Sequence, residues 1–472
     1  MVLKDGRNNI TIEILPEDKG GMAIDSVSPG AYPAWLDEMA ETTAQAENAN
    51  LSGGATTGNY TAAYTGTGYV QNLTTAGASV TFENIMAPAD GNYTVYLRYA
   101  ATDGNQNKTI HVYAGDDAST AVQVTLPAFH AGDLWNDYGV TLPLKAGDDN
   151  TITVTVQEGD TGDILLDGIH FLNQPRTQTA LPDAIVNGDF ETGNRNGWTL
   201  EDGGLNGAGC GVDAGDAARG GYKFYFYYDK SANSQRLSQE VTGLEDGLYR
   251  LEFVYKIYNT AFNTCRVELT GYDGDAATYA DLPYNNRWDF FAVEAEVKDG
   301  TLNIAFYGDT PGGSSLQLDE IKLYKVEEQA LEKADLQRLA DEAGALTEAD
   351  YTAESWDVLA MHLQNAESVL SASAPADTQL FEAISRMQYA LRNLETAGEV
   401  PPEPTIIKGD IDDDGDVDIQ DVMNVCRILA RKNTGTVPTD DEIARADMDE
   451  NGDVDISDIM AICRIIARAN QA

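Results

Sequence analysis

Apolar and polar residues alternate with a period of two through most of this chain and switch to a helical period near residue 327. Runs such as Ser79-Val80-Thr81-Phe82 and Tyr93-Thr94-Val95-Tyr96-Leu97-Arg98-Tyr99 are separated by turn pairs at Asp90-Gly91, Asp103-Gly104 and Ala146-Gly147. This pattern predicts a β-sandwich over residues 43–172. Residues 173–183, with Pro175 and Pro182, read as a linker, and a second β-rich domain follows over 184–326. Within it Tyr222-Lys223-Phe224-Tyr225-Phe226-Tyr227-Tyr228 reads as a strand whose alternate rings point in and out. From 327 to 396, Leu331, Leu336, Leu339, Ala343 and Leu346, then Trp356, Leu359, Leu363 and Ala366, then Leu380, Ile384, Met387, Leu391 and Leu394 recur at helical spacing. They predict a three-helix bundle, with Thr352 and Asp377 placed as N-caps and Pro375 breaking the last connection.

Near the start, Leu3-Lys4-Asp5-Gly6, the alternating Asn9–Ile14 and Ala23-Ile24-Asp25-Ser26-Val27 lie, with one deletion, on Leu144–Gly147, Ile152–Val156 and Leu165–Ile169. Residues 1–28 therefore read as the last two strands of a preceding sandwich, because two strands cannot bury a core alone. Residues 29–42 and the Pro-rich 397–408 are expected to be linkers.

Residues 409–468 carry an internal repeat with a constant offset of 37 residues. One copy places oxygen-bearing side chains at Asp410, Asp412, Asp414, Asp418 and Asp421, positions 1, 3, 5, 9 and 12 of a twelve-residue loop. The other places them at Asp447, Asp449, Asn451, Asp455 and Asp458. Gly415 and Gly452 stand at position 6, where the chain must turn sharply, and the backbone carbonyls of Asp416 and Asp453 stand at position 7. Calcium takes six to eight hard oxygens, and each loop with a water supplies them, so two calcium ions are expected here. Val417 and Val454, at position 8, are placed to pair the loops.

A helix follows each loop, whereas Pro401, Pro402 and Pro404 argue against a helix entering the first one. Loop plus exiting helix, twice, with Asp at position 12, resembles a type I dockerin, the module by which secreted plant-polysaccharide enzymes plug into the cohesins of a scaffolding protein. The resemblance implies a cohesin partner read by loop positions 10 and 11 and by the exiting helix. Those residues are Ile419, Gln420, Cys426, Arg427 and Arg431 in one copy, and Ile456, Ser457, Cys463, Arg464 and Arg468 in the other. The family often has Ser-Thr at positions 10 and 11, and Ile-Gln and Ile-Ser depart from it. Met423, Leu429, Met460 and Ile466 are expected in the helix–helix core.

Gln45-Ala46-Glu47-Asn48-Ala49, Gly66-Thr67-Gly68-Tyr69-Val70, the 93–99 strand, Trp135 and Leu166-Asp167-Gly168-Ile169 together resemble a carbohydrate-binding module of families 6 and 35. The resemblance implies a structural calcium ion on Gln45, Glu47 and Asp167, and sugar stacking by Tyr69 and Trp135. Burial in the core is the competing reading for both rings. Leu165 stands where many members carry a ligand-binding Asn. Asn187-Gly188-Asp189-Phe190-Glu191, Gly197-Trp198 and Leu318–Tyr324 resemble a galactose-binding-like jelly roll similar to family 61 modules. Tyr225 and Tyr227 are its candidate sugar platform, with core packing the alternative for one set of rings. Tyr351-Thr352-Ala353-Glu354-Ser355-Trp356 resembles a FIVAR repeat, and residues 327–396 are read as a spacer.

The expected fold class is therefore multi-domain and mainly β: two β-sandwich jelly rolls, a three-helix bundle and, at 409–472, a small α domain with paired EF-hand-like calcium loops. A chain of 472 residues has room for these domains, and it contains no run of eighteen apolar residues for a membrane span. A net charge of −47 opposes nucleic acid and anionic membranes as partners. Cys210, Cys265, Cys426 and Cys463 are too few for a disulfide framework. His111, His130, His170 and His362 show no metal spacing. Glu348-Ala349-Asp350 with Glu354 superficially spells a glycosidase carboxylate cluster, but it starts a helix, so its side chains fan around an axis.

No catalytic residue is expected, because each sandwich has the length of one binding module and leaves no room for a barrel of roughly 250 residues. The expectation is a non-catalytic C-terminal part of a secreted, cellulosome-associated protein that binds plant cell-wall polysaccharide. A catalytic domain and signal peptide would lie before Met1, whose following residues form no signal sequence. The alternatives are an adhesive surface protein without sugar binding, or a glycosidase hidden in a sandwich.

Overall fold

The computed structural model describes residues 39–101, 106–204, 209–228, 232–259, 261–274, 276–397, 408–411, 417–433, 438–449 and 451–469. The expected strands of 1–28, most of the 29–42 and 397–408 linkers, and the Asp103-Gly104 turn lie outside the described residues. The chain divides into two compact units, residues 1–341 with 364–389 and residues 342–363 with 390–472. Among the described residues no helix is long and apolar enough to cross a membrane.

In the first unit the first sandwich comprises β1 (Glu41–Gln45), β2 (Asn50–Ser52), β3 (Thr56–Gly58), β4 (Tyr69–Gln71), β5 (Ser79–Ala87), β6 (Gly91–Ala100), β7 (Lys108–Ala114), β8 (Val122–Leu126), β9 (Asn136–Leu144), β10 (Gly147–Thr155) and β11 (Leu165–Leu172). One sheet runs β2-β5-β10-β7-β8, and β1, β3, β4, β6, β9 and β11 build the other. Alternation puts Val80 and Phe82, Ile110 and Val112, and Ile152 and Val154 into the shared core. β1 begins at Glu41 and pairs antiparallel with β11, so the sandwich takes up the end of the expected linker.

Linker behaviour is also corrected at 173–183, where residues 176–180 form a strand, β12 (Arg176–Ala180). It pairs parallel with β6 at Arg176 and Tyr93, and antiparallel with the last strand of the next sandwich. That sandwich contains β13 (Thr199–Glu201), β14 (Cys210–Ala214), β15 (Tyr222–Tyr228), β16 (Asn233–Thr242), β17 (Gly247–Tyr258), β18 (Thr264–Thr270), β19 (Ala277–Asp281), β20 (Asp289–Val297), β21 (Thr301–Thr310) and β22 (Ser314–Glu328). Its sheets run β13-β16-β21-β18-β19 and β14-β15-β22-β17-β20. Phe224, Phe253, Phe306 and Leu318 lie in the core between them.

β12 thus stitches one sheet of each sandwich into a continuous sheet. The seam is charged and tight. Arg176 donates to Glu294 at 2.6 Å, Tyr96 Oη to Gln178 Oε1 at 2.7 Å, and the Arg250 guanidinium lies 4.6 Å from the Tyr96 ring centroid. β6 is consequently buried on both faces, and its alternating sequence reads as almost continuously buried.

Helices α1 (Lys333–Gly344), α2 (Ala353–Ser371) and α3 (Asp377–Arg392) fall where the 3.6-residue period placed them. Leu336, Leu339, Leu359, Ala366, Leu380, Ile384 and Met387 are buried as expected. Thr352 caps α2 by accepting from the Ser355 N–H at 3.4 Å. The other cap is corrected by one residue: Asp377 is the first residue of α3, and Ala376 precedes it, its N–H bonded by Gln379. Within the first unit the parts of α1 and α3 that belong to it are not a free spacer. Gln388 donates to the Met86 carbonyl at 2.9 Å, and Arg338 donates to the Pro88 carbonyl at 3.0 Å.

In the second unit α4 (Ile419–Asn433), α5 (Asp440–Ala446) and α6 (Ile456–Ala469) pack around Val425, Ile428, Ala446, Val454 and Ile462. α5 was not anticipated, although Thr439 and Glu442 spell its capping box, and both reciprocal bonds form.

Candidate functional site

In the first sandwich Gln45, Glu47 and Asp167 converge on one loop, residues 65–68. Gln45 Oε1 accepts from Thr65 Oγ1 at 3.0 Å, Glu47 Oε1 from the Thr67 N–H at 2.7 Å, and Asp167 from the Thr65 N–H at 3.0 Å. Gly66 closes the loop at φ +67°, and a Cβ there would lie 2.3 Å from Glu47 Oε1 and 3.0 Å from Gln45 Oε1. Glu47 Oε2 is buried with no hydrogen-bond partner among the described residues, so Gln45 and Glu47 fit a cation. Asp167 differs: the Arg98 Nε lies 2.8 Å from its Oδ2 and supplies its countercharge within the protein. Burial pushes the Asp167 carboxyl up, against the Thr65 bonds and Arg98.

The two aromatic assignments need correcting as open stacking platforms. Trp135 is 1% and Tyr69 2% exposed, with ring centroids 5.6 Å apart. Trp135 Nε1 donates to the Ala62 carbonyl at 2.9 Å, and Tyr69 shares a hydrogen bond with Thr61. The rings are walled in by Ala100 and by partly buried Tyr64 and Leu165, so neither offers a face to solvent. An open ring in the same loop is Tyr60, 92% exposed, which the sequence reading passed over. Its signal was an aromatic in a polar stretch, Gly58-Asn59-Tyr60-Thr61.

In the second sandwich β15 alternates as expected. Phe224 and Phe226 are fully buried, while Tyr225 is half-buried on the other face, opposite Gln317. The Tyr227 side chain lies outside the described residues, as does that of Arg468.

Of the acidic repeat, Asp412, Asp414 and Asp416 lie outside the described residues. The remainder shows the same geometry twice. Asp421 accepts from the N–H groups of Ile411 at 2.6 Å and Asp418 at 2.7 Å, and Asp458 from those of Met448 and Asp455, both at 2.8 Å. Asp418 and Asp455 cap the helix starts by accepting from Gln420 and Ser457, each at 2.6 Å. Asp410, Asp421, Asp447 and Asp458 are buried. In the second loop Asp447 also accepts from Gly452, and Asn451 from Asp453. The carboxylates of Asp447, Asp449 and Asp458 come within 4.8 Å of one another. Partial desolvation, then the charges of Asp458, Asp447 and Asp455, push the Asp449 carboxyl up, and a bound cation would relieve this crowding. Lys432 pairs with Asp453 and holds its carboxyl down.

Ile419, Gln420, Cys426, Arg427 and Arg431 are exposed on α4, and Ile456, Ser457, Cys463 and Arg464 on α6. Leu429 and Ile466 pack against the core as expected, but Met423 and Met460 do not. At 47% and 53% exposure they extend the apolar stripes begun by Ile419 and Ile456, one helical turn on. The signal was their register: Met423 projects about 200° around the helix from buried Val425.

Residues 42–167 match the model of the carbohydrate binding module, family 35. The match supports a carbohydrate-binding-module jelly roll over the first sandwich. A 1,6-α-glucosyltransferase from Sporosarcina globispora is 29% identical over 292 residues, 60% of this chain and 22% of that protein. A cycloisomaltooligosaccharide glucanotransferase from Niallia circulans is 28% identical over 193 residues, 40% of this chain and 19% of that protein. This chain thus spans about a fifth of the length of either relative. A family 35 carbohydrate-binding module of Clostridium thermocellum is 25% identical and covers 28% of this chain and 96% of its own, with a TM-score of 0.25. The expectation that these residues are non-catalytic is corrected by these relatives, since the two curated proteins named here are carbohydrate-active enzymes.

Proposed function

We propose that this chain is part of a secreted carbohydrate-active enzyme, in which the first sandwich holds a neutral glycan. Residues 409–468 act as a type I dockerin that docks on a cohesin. The observation that carries the docking reading is the duplicated loop and helix, in which Asp421 and Asp458 make matching bonds and each helix presents an exposed apolar stripe. Asp447, Asp449 and Asp458, with their counterparts Asp410 and Asp421, would hold calcium, whose charge neutralises the crowded carboxylates. Gln45 and Glu47 would hold a structural cation that ties β1 to the 65–68 loop.

The glycan reading is supported by the family 35 match and by charge. A chain of −47 repels a polyuronate before contact, over about 8 Å at physiological salt, but is indifferent to a neutral glycan. The relatives named for 1,6-α-glucosyl and isomaltooligosaccharide chemistry make α-1,6-glucan the first polymer to try, alongside mannan and galactan.

The test has two arms. The full chain should be captured by an immobilised type I cohesin in calcium and released by chelator, and it should sediment with at least one neutral insoluble or gel-borne glycan but not with polygalacturonate. Capture indifferent to chelator, or a chain that sediments with none of the neutral glycans, would overturn the corresponding arm.

A further inference from the structure

A cavity of about 230 Å³ opens where the two sandwiches meet, between β9 and β12 on one side and β17, β20 and β22 on the other. Tyr138, Phe290 and Tyr324 give it ring faces, and Gln178, Glu252 and Lys322 give it polar groups. A second cavity of about 510 Å³ runs on from it along β22 and shares Ala180, Glu320, Lys322 and Tyr324 as walls. Together they form one elongated cleft.

The backbone is distorted where the two halves join. The pairing of β22 with β17 shifts register between Glu252 and Val254, and Glu320, inside that bulge, has φ +52°. A non-glycine residue held in this region costs about 1–3 kcal/mol and persists only where its surroundings fix it. Here Asp319 fixes it, fully buried and accepting from the N–H groups of Ala218 at 3.0 Å, Arg219 at 3.1 Å and Glu320 at 2.8 Å. The bulge turns Glu320 toward both halves of the cleft, the use to which bulges beside binding sites are put.

The charges that line the first of the two cavities are balanced. Glu252 accepts from Arg250 Nε at 2.7 Å, and Glu320 from Lys322 at 2.7 Å with Arg219 at 3.5 Å. Asp137 faces His170 at 3.4 Å and Arg98 at 3.9 Å. Each of these carboxylates already has its cation, so neither a free metal ion nor a polyanion gains by entering. A neutral ligand with many hydroxyls gains at both ends, donating to Glu252 and Glu320, accepting from Lys322 and Gln178, and laying its C–H faces on the tyrosines.

We propose that this cleft at the seam of the two sandwiches binds a neutral oligosaccharide of two or more residues, as a site that neither sandwich could form alone. The ligand class rests on the carbohydrate reading above; the place does not. β12 fixes the geometry, because it pairs with both β6 and β22 and so holds the two walls at a set distance.

Titration calorimetry of the full chain with isomaltotriose, mannotriose and β-1,4-galactotriose tests it. At least one trisaccharide should bind with millimolar or tighter affinity. Ala180→Trp, which fills the shared wall from an exposed position, should weaken it at least tenfold, as should Tyr138→Ala. Glu320→Gln keeps the size of the side chain and removes one charge, and should weaken binding severalfold. Sedimentation with polymeric glycan through the first sandwich should persist in Ala180→Trp, so loss of the cleft and loss of the module are told apart. The proposal is overturned if no trisaccharide binds, or if one binds equally well to the wild type, Ala180→Trp and Tyr138→Ala chains.

Discussion

Asp421 and Asp458 stand 37 residues apart and do the same work: each carboxylate bridges the N–H of the residue after position 1 of its loop to the N–H at position 9. Both are fully buried. Asp458→Ala removes two charge-assisted bonds, worth about 1.5–3 kcal/mol each, as well as one ligand of the acidic cluster. The variant should lose calcium-dependent helicity in the second repeat while the first keeps its own. Circular dichroism of the chain against calcium, with chelator as reference, should show roughly half the wild-type gain, and an unchanged gain would remove Asp458 from the site.

Trp135 is a core ring in this structure, so Trp135→Ala should unfold the first sandwich before it reports on any ligand. Truncating a buried Trp costs about 3–5 kcal/mol. A drop of many degrees in the melting temperature is expected, with Trp135→Phe intermediate. A melting temperature within a degree or two of wild type would return the ring to the surface.

His170 gives the sandwich a pH dependence. It lies between Glu41 at 3.5 Å and Asp137 at 3.4 Å and stacks on Tyr96. Burial alone would push its pKa down, but the two carboxylates outweigh burial and raise it to about 9. A raised folded-state value stabilises the fold in full below about pH 6.5, and that contribution fades as pH climbs through 9. The ceiling is about 3 kcal/mol. Melting temperature should therefore fall between pH 6.5 and 9.5 in the wild type and hold flat over that window in His170→Gln; parallel slopes in the two proteins would count against this role.

The two exposed stripes give a symmetry prediction. Since Ile419 with Met423 repeats as Ile456 with Met460, either helix offers the same face. Met423→Asp alone or Met460→Asp alone should weaken cohesin capture only a few-fold, while the double variant should abolish it. Complete loss from one single variant, measured by calorimetry against the cohesin, would refute equivalence of the copies.

How much of this was legible in the sequence depended on whether burial had a local cause. Val80 with Phe82 in the first sandwich and Val267 with Leu269 in the second are buried because of the period of their own strands, so both sandwiches could be read from the chain. β12 could not. Arg176-Thr177-Gln178-Thr179-Ala180 has no apolar face, and its strand depends on Tyr93, Glu294 and Tyr324, far away in sequence. The fate of Trp135 was hidden for a related reason: a ring in a polar loop looks exposed until Tyr69, Ala100 and Tyr64 close over it. Met423 failed in the opposite direction. α4 carries more apolar residues than one face can bury, and the helical period decides which remain outside.

The strand between the sandwiches also bears on how such chains are inherited and rearranged. Recombination that cut through residues 176–180 would leave β6, still flanked by β9 and β11, without its Arg176 partner, and would strip β22 of the neighbour along its last five residues, giving the second fragment a raw edge prone to pairing with strangers. Exchange of parts should therefore spare this junction, and the two sandwiches should travel between genes as a pair, like two pages sewn with a single thread.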